Sequence, residues 1–122
     1  MSYPFVNEPA RLRALHELKI LDTPAEATFE RLVQAATDLF DVPYALITFV
    51  DADRAWIKAG CGVDLCETKR EHAISNYTIL HDTAFVVPDT HLSEEFRDNI
   101  YVRGEPYVRF YAGAPLILAP KV

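Results

Sequence analysis

The sequence predicts an α+β domain in which two helices precede a set of strands that short helices interrupt. Two observations lead to this prediction. Apolar residues recur at helical spacing in the first 40 residues, and residues 44–50 then form an almost continuous apolar run typical of a buried strand. The chain has 122 residues, half of them hydrophobic and a quarter charged, which suits one globular domain spanning residues 1–122.

The first helix is predicted to begin after Asn7, a good N-cap residue, with Pro9 tolerated in the first turn. Its apolar stripe comprises Leu12, Leu15, Leu18 and Leu21. For the second helix, residues 23–26 (TPAE) have the form of a capping box with Pro24 at the first helical position. Its predicted core face comprises Phe29, Leu32, Val33, Ala36, Leu39 and Phe40. Asp41 can adopt the left-handed conformation that ends many helices.

Residues 44–50 are apolar at almost every position, so we expect this strand to be central and covered on both faces. Residues 51–54 form a turn, and the short connection predicts that a second strand, residues 55–59, runs antiparallel to the first. Residues 60–71 are interpreted as a loop. Farther on, the sequence predicts short helices at 73–80 and 93–98, a turn at 81–83, a strand at 84–88, and a final strand pair at 107–112 and 114–118 with Gly113 at a bulge or bend.

Composition excludes several classes of function. A net charge of −6 offers no basic stripe for the phosphates of a nucleic acid. No apolar run reaches the length of a membrane span, and the N-terminus lacks the pattern of a secretory signal, so we expect a cytoplasmic protein. In that compartment Cys61 and Cys66 are expected to be reduced thiols, and their spacing matches neither a zinc knuckle nor a redox pair.

Enzymatic constellations are absent from the sequence. Ser75 lies in no nucleophile elbow, and His72 has no aspartate placed by the sequence to orient it. The four histidines are scattered and the chain has only 4 glycines, so neither a metal site nor a phosphate-binding glycine loop is expected. The sequence therefore predicts a protein that is not an enzyme, with no catalytic residue, no metal and no cofactor.

Several motifs together resemble the GAF domains of bacterial signalling proteins. They are LDTP at 21–24, FERLV at 29–33, VDADR at 50–54, WIK at 56–58, VVPD at 86–89 and RFYAGAPL at 109–116. The resemblance implies a profilin-like antiparallel sheet with the N-terminal helices packed on one face and a ligand cleft on the other. It also implies a sensory role in a protein such as a histidine kinase, a diguanylate cyclase or a phosphodiesterase.

Two features limit what the resemblance implies about a ligand. Residues 74–79 (ISNYTI) replace the Phe-Cys-x-His pattern of many relatives, and the residues associated with cyclic-nucleotide binding are not seen. Candidate ligand-binding residues are Trp56, Arg70, His72, Ser75, Asn76, Tyr77, Arg109 and Tyr111. Each has a structural alternative: Trp56 suits core packing, Arg109 a local ion pair, and the polar residues at 75–77 the caps of their own short helix.

The sequence thus predicts a sensory domain that binds an unknown small molecule and regulates the output domain of a parent protein. A ligand-free dimerisation or scaffold module is the alternative, and a free methionine sulfoxide reductase using Cys61 and Cys66 is a minor one. Relatives continue beyond the position of Val122, so we expect the last strand and helix of the fold to be missing. An unpaired first strand would favour a homodimer.

Overall fold

The computed structural model describes residues 7–117 and confirms an α+β fold with antiparallel strands. Its elements are α1 (Glu8–Glu17), α2 (Ala27–Phe40), β1 (Ala45–Val50), β2 (Arg54–Cys61), β3 (Glu67–Lys69), α3 (Ser75–Thr78), β4 (Phe85–Val87), α4 (Ile100–Arg103) and β5 (Tyr111–Gly113). Short 3-10 turns occupy Arg70–His72 and Thr90–Leu92. None of the helices described within these residues has the length and apolar character that a membrane span requires.

The contacts divide the chain into two compact units, an N-terminal unit (Met1–Glu71) and a C-terminal unit (His72–Val122). Each unit has its own small sheet. In the N-terminal unit the strand order is β1-β2-β3, and in the C-terminal unit β4 pairs with β5. The two units are described separately below.

Helix α1 begins as predicted, because the Asn7 side chain accepts a hydrogen bond from the backbone N–H of Ala10 at 3.2 Å. Its apolar stripe is shorter than expected. Leu15 is buried, whereas Leu18 is 48 % exposed because the helix has already ended at Glu17.

Helix α2 does not use the predicted capping box. It begins at Ala27, and Glu26 occupies the N-cap position without a side-chain hydrogen bond to the helix. The Thr23 hydroxyl instead donates to the carbonyl of Ile20 and accepts a hydrogen bond from Lys58. The C-terminus of α2 is as predicted, with Asp41 in the left-handed region at φ 52° and ψ 50°.

The predicted core face of α2 is only partly correct. Val33 and Thr37 are buried and the helix packs against β1 and β2, but Leu32, Leu39 and Phe40 are 55 %, 78 % and 69 % exposed. The apolar residues of α2 therefore cover a wider arc of the helix than the described contacts bury.

Strands β1 and β2 pair antiparallel, as predicted, and a partner on the other side of β1, which a central position requires, is not among the described strands. Within residues 7–117 the middle strand is β2, and β1 lies at an edge with Leu46 45 % exposed. The predicted loop at 60–71 contains β3, which pairs with β2.

Within the paired stretch, β2 (residues 55–61) contains one residue more than β1 (residues 45–50). Ile47 is opposite Ala59, and the next residue, Thr48, is opposite Ile57, so that Lys58 has no partner in β1. This is a β-bulge, an irregularity that changes the direction of the extra side chain.

In the C-terminal unit, apolar side chains from α3, β4 and the following turns form one cluster. Ile74, Val87 and Phe96 are buried in it, and four partly buried residues pack against them: Tyr77, Phe85, Val108 and Tyr111. The predicted helix at 93–98 is a series of turns, and the helical residues lie instead in Thr90–Leu92 and in α4.

The predicted final strand pair is reduced to β5, which pairs with β4. Tyr107 has a φ of 60°, a left-handed conformation that a strand through residues 107–112 does not allow. Gly113 lies in β5, opposite Phe85, and not at a bulge. Leu118, the last residue of the predicted second strand, lies outside the described residues.

Candidate functional site

The eight predicted ligand-binding residues are distributed over both units. Trp56 and Arg70 belong to the N-terminal unit, and the other six belong to the C-terminal unit. The surroundings of each group are described in turn.

Arg70 is buried, with 2 % of its side chain exposed, and its guanidinium joins α1 to the turn between β1 and β2. Nη1 donates to Oε1 of Glu8 at 2.6 Å and to the carbonyls of Asp51 and Ala52, both at 3.3 Å. A buried arginine remains charged in proteins and needs such acceptors. These contacts give Arg70 a structural role within the N-terminal unit.

Glu8 is the acidic centre of this arrangement. Hydrogen bonds from Arg11, opposed by burial and reinforced by Arg70, lower the pKa of the Glu8 carboxyl from 4.5 to about 2. Arg11 also donates to the carbonyl of Val50 at 2.6 Å, which ties α1 to the end of β1. The carboxylate of Glu8 therefore stays ionised well into the acidic range.

A second set of charged side chains stabilises the turn between β1 and β2. His16 Nε2 lies 2.8 Å from Oδ1 of Asp51, and Arg54 donates two hydrogen bonds to the carboxylate of Asp22, at 2.8 and 2.7 Å. Although burial acts to raise it, the pKa of Asp51 is lowered by the hydrogen bonds from His16 and from the Ala52 backbone. Arg54 also reaches Glu67 at 2.9 Å, so one guanidinium joins the α1–α2 linker, β2 and β3.

Trp56 is 7 % exposed and lines a cavity of about 390 Å³ within the N-terminal unit. The cavity wall is formed by β2, the α1–α2 linker, the first turn of α2 and the residues before β3, and it includes Glu30, Ile57, Leu65 and Cys66. Leu65 is 43 % exposed at this cavity. Its volume is within the range of small-molecule sites. Of these lining residues, the sequence identified Trp56 as a candidate.

Lys58, which sequence analysis did not single out, is the most unusual polar residue of this unit. Its side chain is fully buried, and the ammonium donates to Thr23 Oγ1 and the Pro24 carbonyl, both at 2.7 Å. It also lies 2.6 Å from the Glu26 carboxylate and 5.9 Å from the centre of the Trp56 ring. The ammonium thus has three acceptors for its three protons. A lysine in an otherwise apolar strand segment was the available signal.

In the C-terminal unit, His72, Ser75 and Asn76 are half-buried at the start of α3. The carbonyl of His72 accepts a hydrogen bond from Asn99 Nδ2 at 2.9 Å, and the carbonyl of Ser75 accepts one from the Ile79 backbone. The described backbone contacts of these residues stabilise the short helix. A ligand role for their side chains stays a prediction.

Tyr77 and Tyr111 contribute to the apolar cluster of this unit. The Tyr77 ring makes an edge contact with Phe96 at 4.8 Å between centroids. The Tyr111 hydroxyl lies 2.7 Å from Oγ1 of Thr78, and burial, opposed by this hydrogen bond, raises the pKa of the phenol. A β-carbon at Gly113 would collide with the Tyr111 hydroxyl and lie 2.7 Å from Thr78 Oγ1, so the glycine makes room for this pair.

Arg109 forms the local ion pair that the sequence also allowed. Its guanidinium donates to Asp89 at 3.3 and 3.1 Å, and its side chain is 60 % exposed. Hydrogen bonds from Arg109 and the His91 backbone lower the pKa of Asp89. A second cavity of about 390 Å³ lies in this unit, along β4 and residues 92–96, with Phe85, Leu92 and Phe96 in its wall.

The cysteines and the metal-ligating residues form no further site in the described part of the chain. Cys61 and Cys66 are both unbridged. Ile57 on β2 binds the carbonyl of Cys66, whereas Cys61 lies four residues farther along the strand, too far for a disulfide. Within residues 7–117, no three His, Cys, Asp or Glu side chains are grouped so as to hold a metal ion.

The comparison with known families agrees with the fold and with the sequence motifs. The GAF domain model matches residues 24–121. The chain belongs to the GAF family.

A cyclic di-GMP phosphodiesterase of Pseudomonas aeruginosa is 42 % identical to this GAF domain over 113 residues, which cover 93 % of the chain. The chain spans about a fifth of the length of that relative, 19 %. Family and relative together identify the chain as a regulatory domain of signal transduction, of the bacterial type that the sequence motifs predicted.

Proposed function

We propose that this GAF domain is a sensor that binds a small molecule and thereby regulates the output domain of a signalling protein. The observation that carries the proposal is the similarity along 93 % of the chain to a segment of a much longer cyclic di-GMP phosphodiesterase. A domain inside such a protein acts by changing the populations of its two states, which requires a ligand that binds those states with different affinity.

The cavity beside Trp56 supports this proposal in the N-terminal unit. It combines an aromatic ring and apolar side chains with the Glu30 carboxylate, the mixture that small-molecule sites use for affinity and orientation. Of the other charged lining residues, Asp22 pairs with Arg54 and Lys58 with Glu26, so the Glu30 carboxylate favours a ligand with a cationic or hydrogen-bond-donating group beside an apolar body. Of the predicted site residues in the C-terminal unit, Ser75 and Asn76 remain our candidates for polar ligand contacts.

Trp56 is the only tryptophan of the chain, so its fluorescence reports directly on the cavity. We propose screening nucleotides, cyclic dinucleotides, amino acids and heterocyclic amines by thermal shift, followed by fluorescence titration of each hit. A ligand at about a hundred times its Kd stabilises a protein by about 2.7 kcal/mol, which raises the Tm of a domain of this size by several degrees.

The matched variants are Glu30→Gln, which removes one lining charge, and Glu94→Gln, which removes an exposed charge in the other unit. A hit that binds this cavity loses affinity in the first variant and keeps it in the second. Because Cys66 lines the cavity, a bound ligand is expected to slow its alkylation. Cys61, which does not line the cavity, serves as the internal control. If the full panel leaves Tm and fluorescence unchanged, the sensor proposal is wrong for these ligand classes.

Regulation is tested by replacing the matching segment of the Pseudomonas aeruginosa phosphodiesterase with this chain. We expect the chimera's phosphodiesterase activity to change when the identified ligand is added. Glu30→Gln in the chimera is expected to weaken that response while the basal activity remains.

A ligand-free dimerisation module is the second candidate, and one observation favours it. Leu32 and Leu39 of α2 are 55 % and 78 % exposed, which leaves apolar surface on this helix that a second copy of the chain can cover. Such a module would show a Tm that depends on protein concentration and on no small molecule.

A further inference from the structure

One guanidinium connects two separate parts of the wall of the cavity beside Trp56. Arg54 donates two hydrogen bonds to the Asp22 carboxylate, at 2.8 and 2.7 Å, and one to Oε1 of Glu67 at 2.9 Å. Asp22 belongs to the α1–α2 linker and lines the cavity there. Glu67 is the first residue of β3 and directly follows Cys66, which lines the cavity at another part of its wall. The Arg54 side chain therefore ties the linker to β3.

The register of the sheet explains why Arg54 can make this connection. In the antiparallel pair of β2 and β3, Trp56 is opposite Glu67 and Arg54 is opposite Lys69. Opposite residues of an antiparallel pair point to the same face of the sheet, and so do residues two apart in one strand. Arg54, Trp56 and Glu67 consequently share one face, which places the ion pairs next to the cavity that Trp56 lines.

The linker at Asp22 has a backbone conformation that needs support. Its φ angle is 61°, in the left-handed region that residues other than glycine adopt infrequently. Lys58 holds the residues that follow, through the Thr23 hydroxyl and the Pro24 carbonyl. The Asp22 side chain is 65 % exposed and is fixed by its two-point bond to Arg54. Loss of that bond is expected to let this part of the linker relax to other conformations.

The exposure of these ion pairs makes the connection reversible. The guanidinium of Arg54 is 24 % exposed, and the carboxylates of Asp22 and Glu67 are 65 % and 50 % exposed. A two-point arginine–carboxylate pair is among the stronger charged contacts, but salt screens it where solvent has access. The spacing of the two wall segments should therefore respond to ionic strength and to the loss of any one of the three charges.

We propose that Arg54 is a positioning residue of the cavity, which fixes the spacing of two wall segments by binding Asp22 and Glu67 at once and so pre-organises the ligand site. Arg54 does not itself line the cavity. A site whose walls are already in place binds more tightly, because binding does not have to order them. The functional meaning of this arrangement rests on the sensor role proposed above, whereas the connection can be measured without any ligand.

Hydrogen exchange of the full 122-residue chain, followed by NMR, measures the connection at both ends. The Thr23 amide, which donates to the carbonyl of Ile20, reports on the linker and is called the linker amide. The Ile57 amide, which donates to the carbonyl of Cys66, reports on the residues before β3 and is called the β3 amide. The Val108 amide in the C-terminal unit is the internal reference.

Three variants separate the two ends of the connection. Arg54→Gln is expected to accelerate exchange of both the linker amide and the β3 amide by about fivefold, the effect of losing a partly exposed ion pair on local opening. Asp22→Asn is expected to accelerate the linker amide alone, and Glu67→Gln the β3 amide alone. Arg54→Lys keeps the charge but not the two-point geometry, so its effect should be intermediate.

A salt series and a small probe extend the test to the cavity itself. Raising the salt to about 1 M is expected to accelerate both amides in the wild type and to add little in Arg54→Gln. Acrylamide, a small neutral quencher, should reach the Trp56 ring more readily in Arg54→Gln than in the wild type. The matched control is Arg103→Gln, which removes an exposed ion pair with Asp98 in the C-terminal unit and makes the same charge change. It should alter none of these measurements.

Any compound of the panel above that raises the Tm provides a further measurement. Its affinity is expected to fall several-fold in Arg54→Gln and to stay unchanged in Arg103→Gln. A panel without such a compound contradicts the sensor proposal only, because exchange and quenching decide the role of Arg54 by themselves.

Unchanged linker and β3 amides in Arg54→Gln would overturn the proposal. Acceleration of the reference amide by the same factor would overturn it too, because that result indicates a general loss of stability. Faster exchange with unchanged acrylamide quenching would show that the cavity does not depend on the connection, and Arg54 would then have no positioning role.

Discussion

Inside each of the two units of this GAF domain, a different kind of interaction stabilises the structure. In the N-terminal unit, two buried cations accompany the apolar core: Arg70 is 2 % exposed and Lys58 is 4 % exposed, and both bind acceptors from distant parts of the chain. In the C-terminal unit, the centre consists of Ile74, Val87 and Phe96 surrounded by aromatic rings. The difference shows that buried cations can join distant segments of a chain beside an apolar core.

The two units are expected to respond differently to a fall in pH. Charged hydrogen bonds have defined directions and weaken when a carboxylate is protonated, whereas apolar contacts are insensitive to pH. The N-terminal unit is therefore expected to loosen in acid before the C-terminal unit does. The predictions below test this contrast, from the largest expected effect to the smallest.

Phe96→Ala is expected to have the largest effect, because the ring is 2 % exposed and contacts both Tyr77 and Phe85. Truncating a buried phenylalanine costs about 3–5 kcal/mol, a large part of the stability of a domain of this size. Urea unfolding measures the total, and hydrogen exchange locates it. Faster exchange confined to β1 and β2, with β4 and β5 unchanged, would contradict the assignment of this ring to the C-terminal core.

Lys58→Ala is expected to destabilise the chain by about 2–3 kcal/mol, because it leaves a cavity and three acceptors without their donor. Lys58→Met keeps most of the volume, and Glu26, which is 54 % exposed, can return to water. The methionine variant should therefore lose about 1 kcal/mol or less. Equal losses in both variants would show that the ammonium, and not the packing of the side chain, accounts for the stabilisation.

Glu8 provides the pH test. Its pKa is about 2 in the folded chain, below the ordinary 4.5, so its contribution to stability is complete above pH 4.5 and disappears as the pH falls towards 2. After allowance for solvent screening, this contribution is about 1–2 kcal/mol. Stability curves of wild type and Glu8→Gln are expected to converge in that window. Curves that stay parallel from pH 5 to pH 2 would argue against the contacts of Glu8 with Arg11 and Arg70.

Gly113→Ala is expected to have the smallest effect, about 1 kcal/mol, because the added methyl group meets the ends of the Tyr111 and Thr78 side chains, which must shift to admit it. Tyr111→Phe removes the hydroxyl that the methyl group would strike. Combining the two substitutions should therefore cost less than the sum of the single changes, which a double-mutant cycle measures. Strict additivity would mean that the strain lies in the backbone.

The sequence predicted the fold class, the first helix start, the left-handed end of α2 and the antiparallel β1–β2 pair, because each depends on neighbouring residues. It misjudged α2 because apolar residues at positions 32 and 39 look like core when only the helical period is considered. It missed β3, whose three residues, ETK, are too few and too polar to show a period.

The candidate site was harder to predict from the sequence than the fold. Arg70 and Arg109 were proposed as ligand contacts because arginine suits anions, but their carboxylate partners lie 62 and 20 residues away in the chain. Pairings over such separations cannot be read from local spacing. Lys58 was overlooked for the same reason, since its acceptors at residues 23–26 belong to a linker some 35 residues earlier.

The bulge at Lys58 also shifts the phase of β2. Up to Ile57, successive side chains of β2 point to alternate faces of the sheet. Lys58 has no partner in β1, so the alternation begins again after it. Ala55 and Trp56 are both buried although they lie on opposite faces, which shows that both faces are covered there, and Lys58 and Ala59 are buried at the bulge. A complete substitution scan of this strand should therefore show tolerance in two offset registers joined at residue 58. Deleting that one residue would make the ladder regular and reverse the facing of one end of the strand relative to the other.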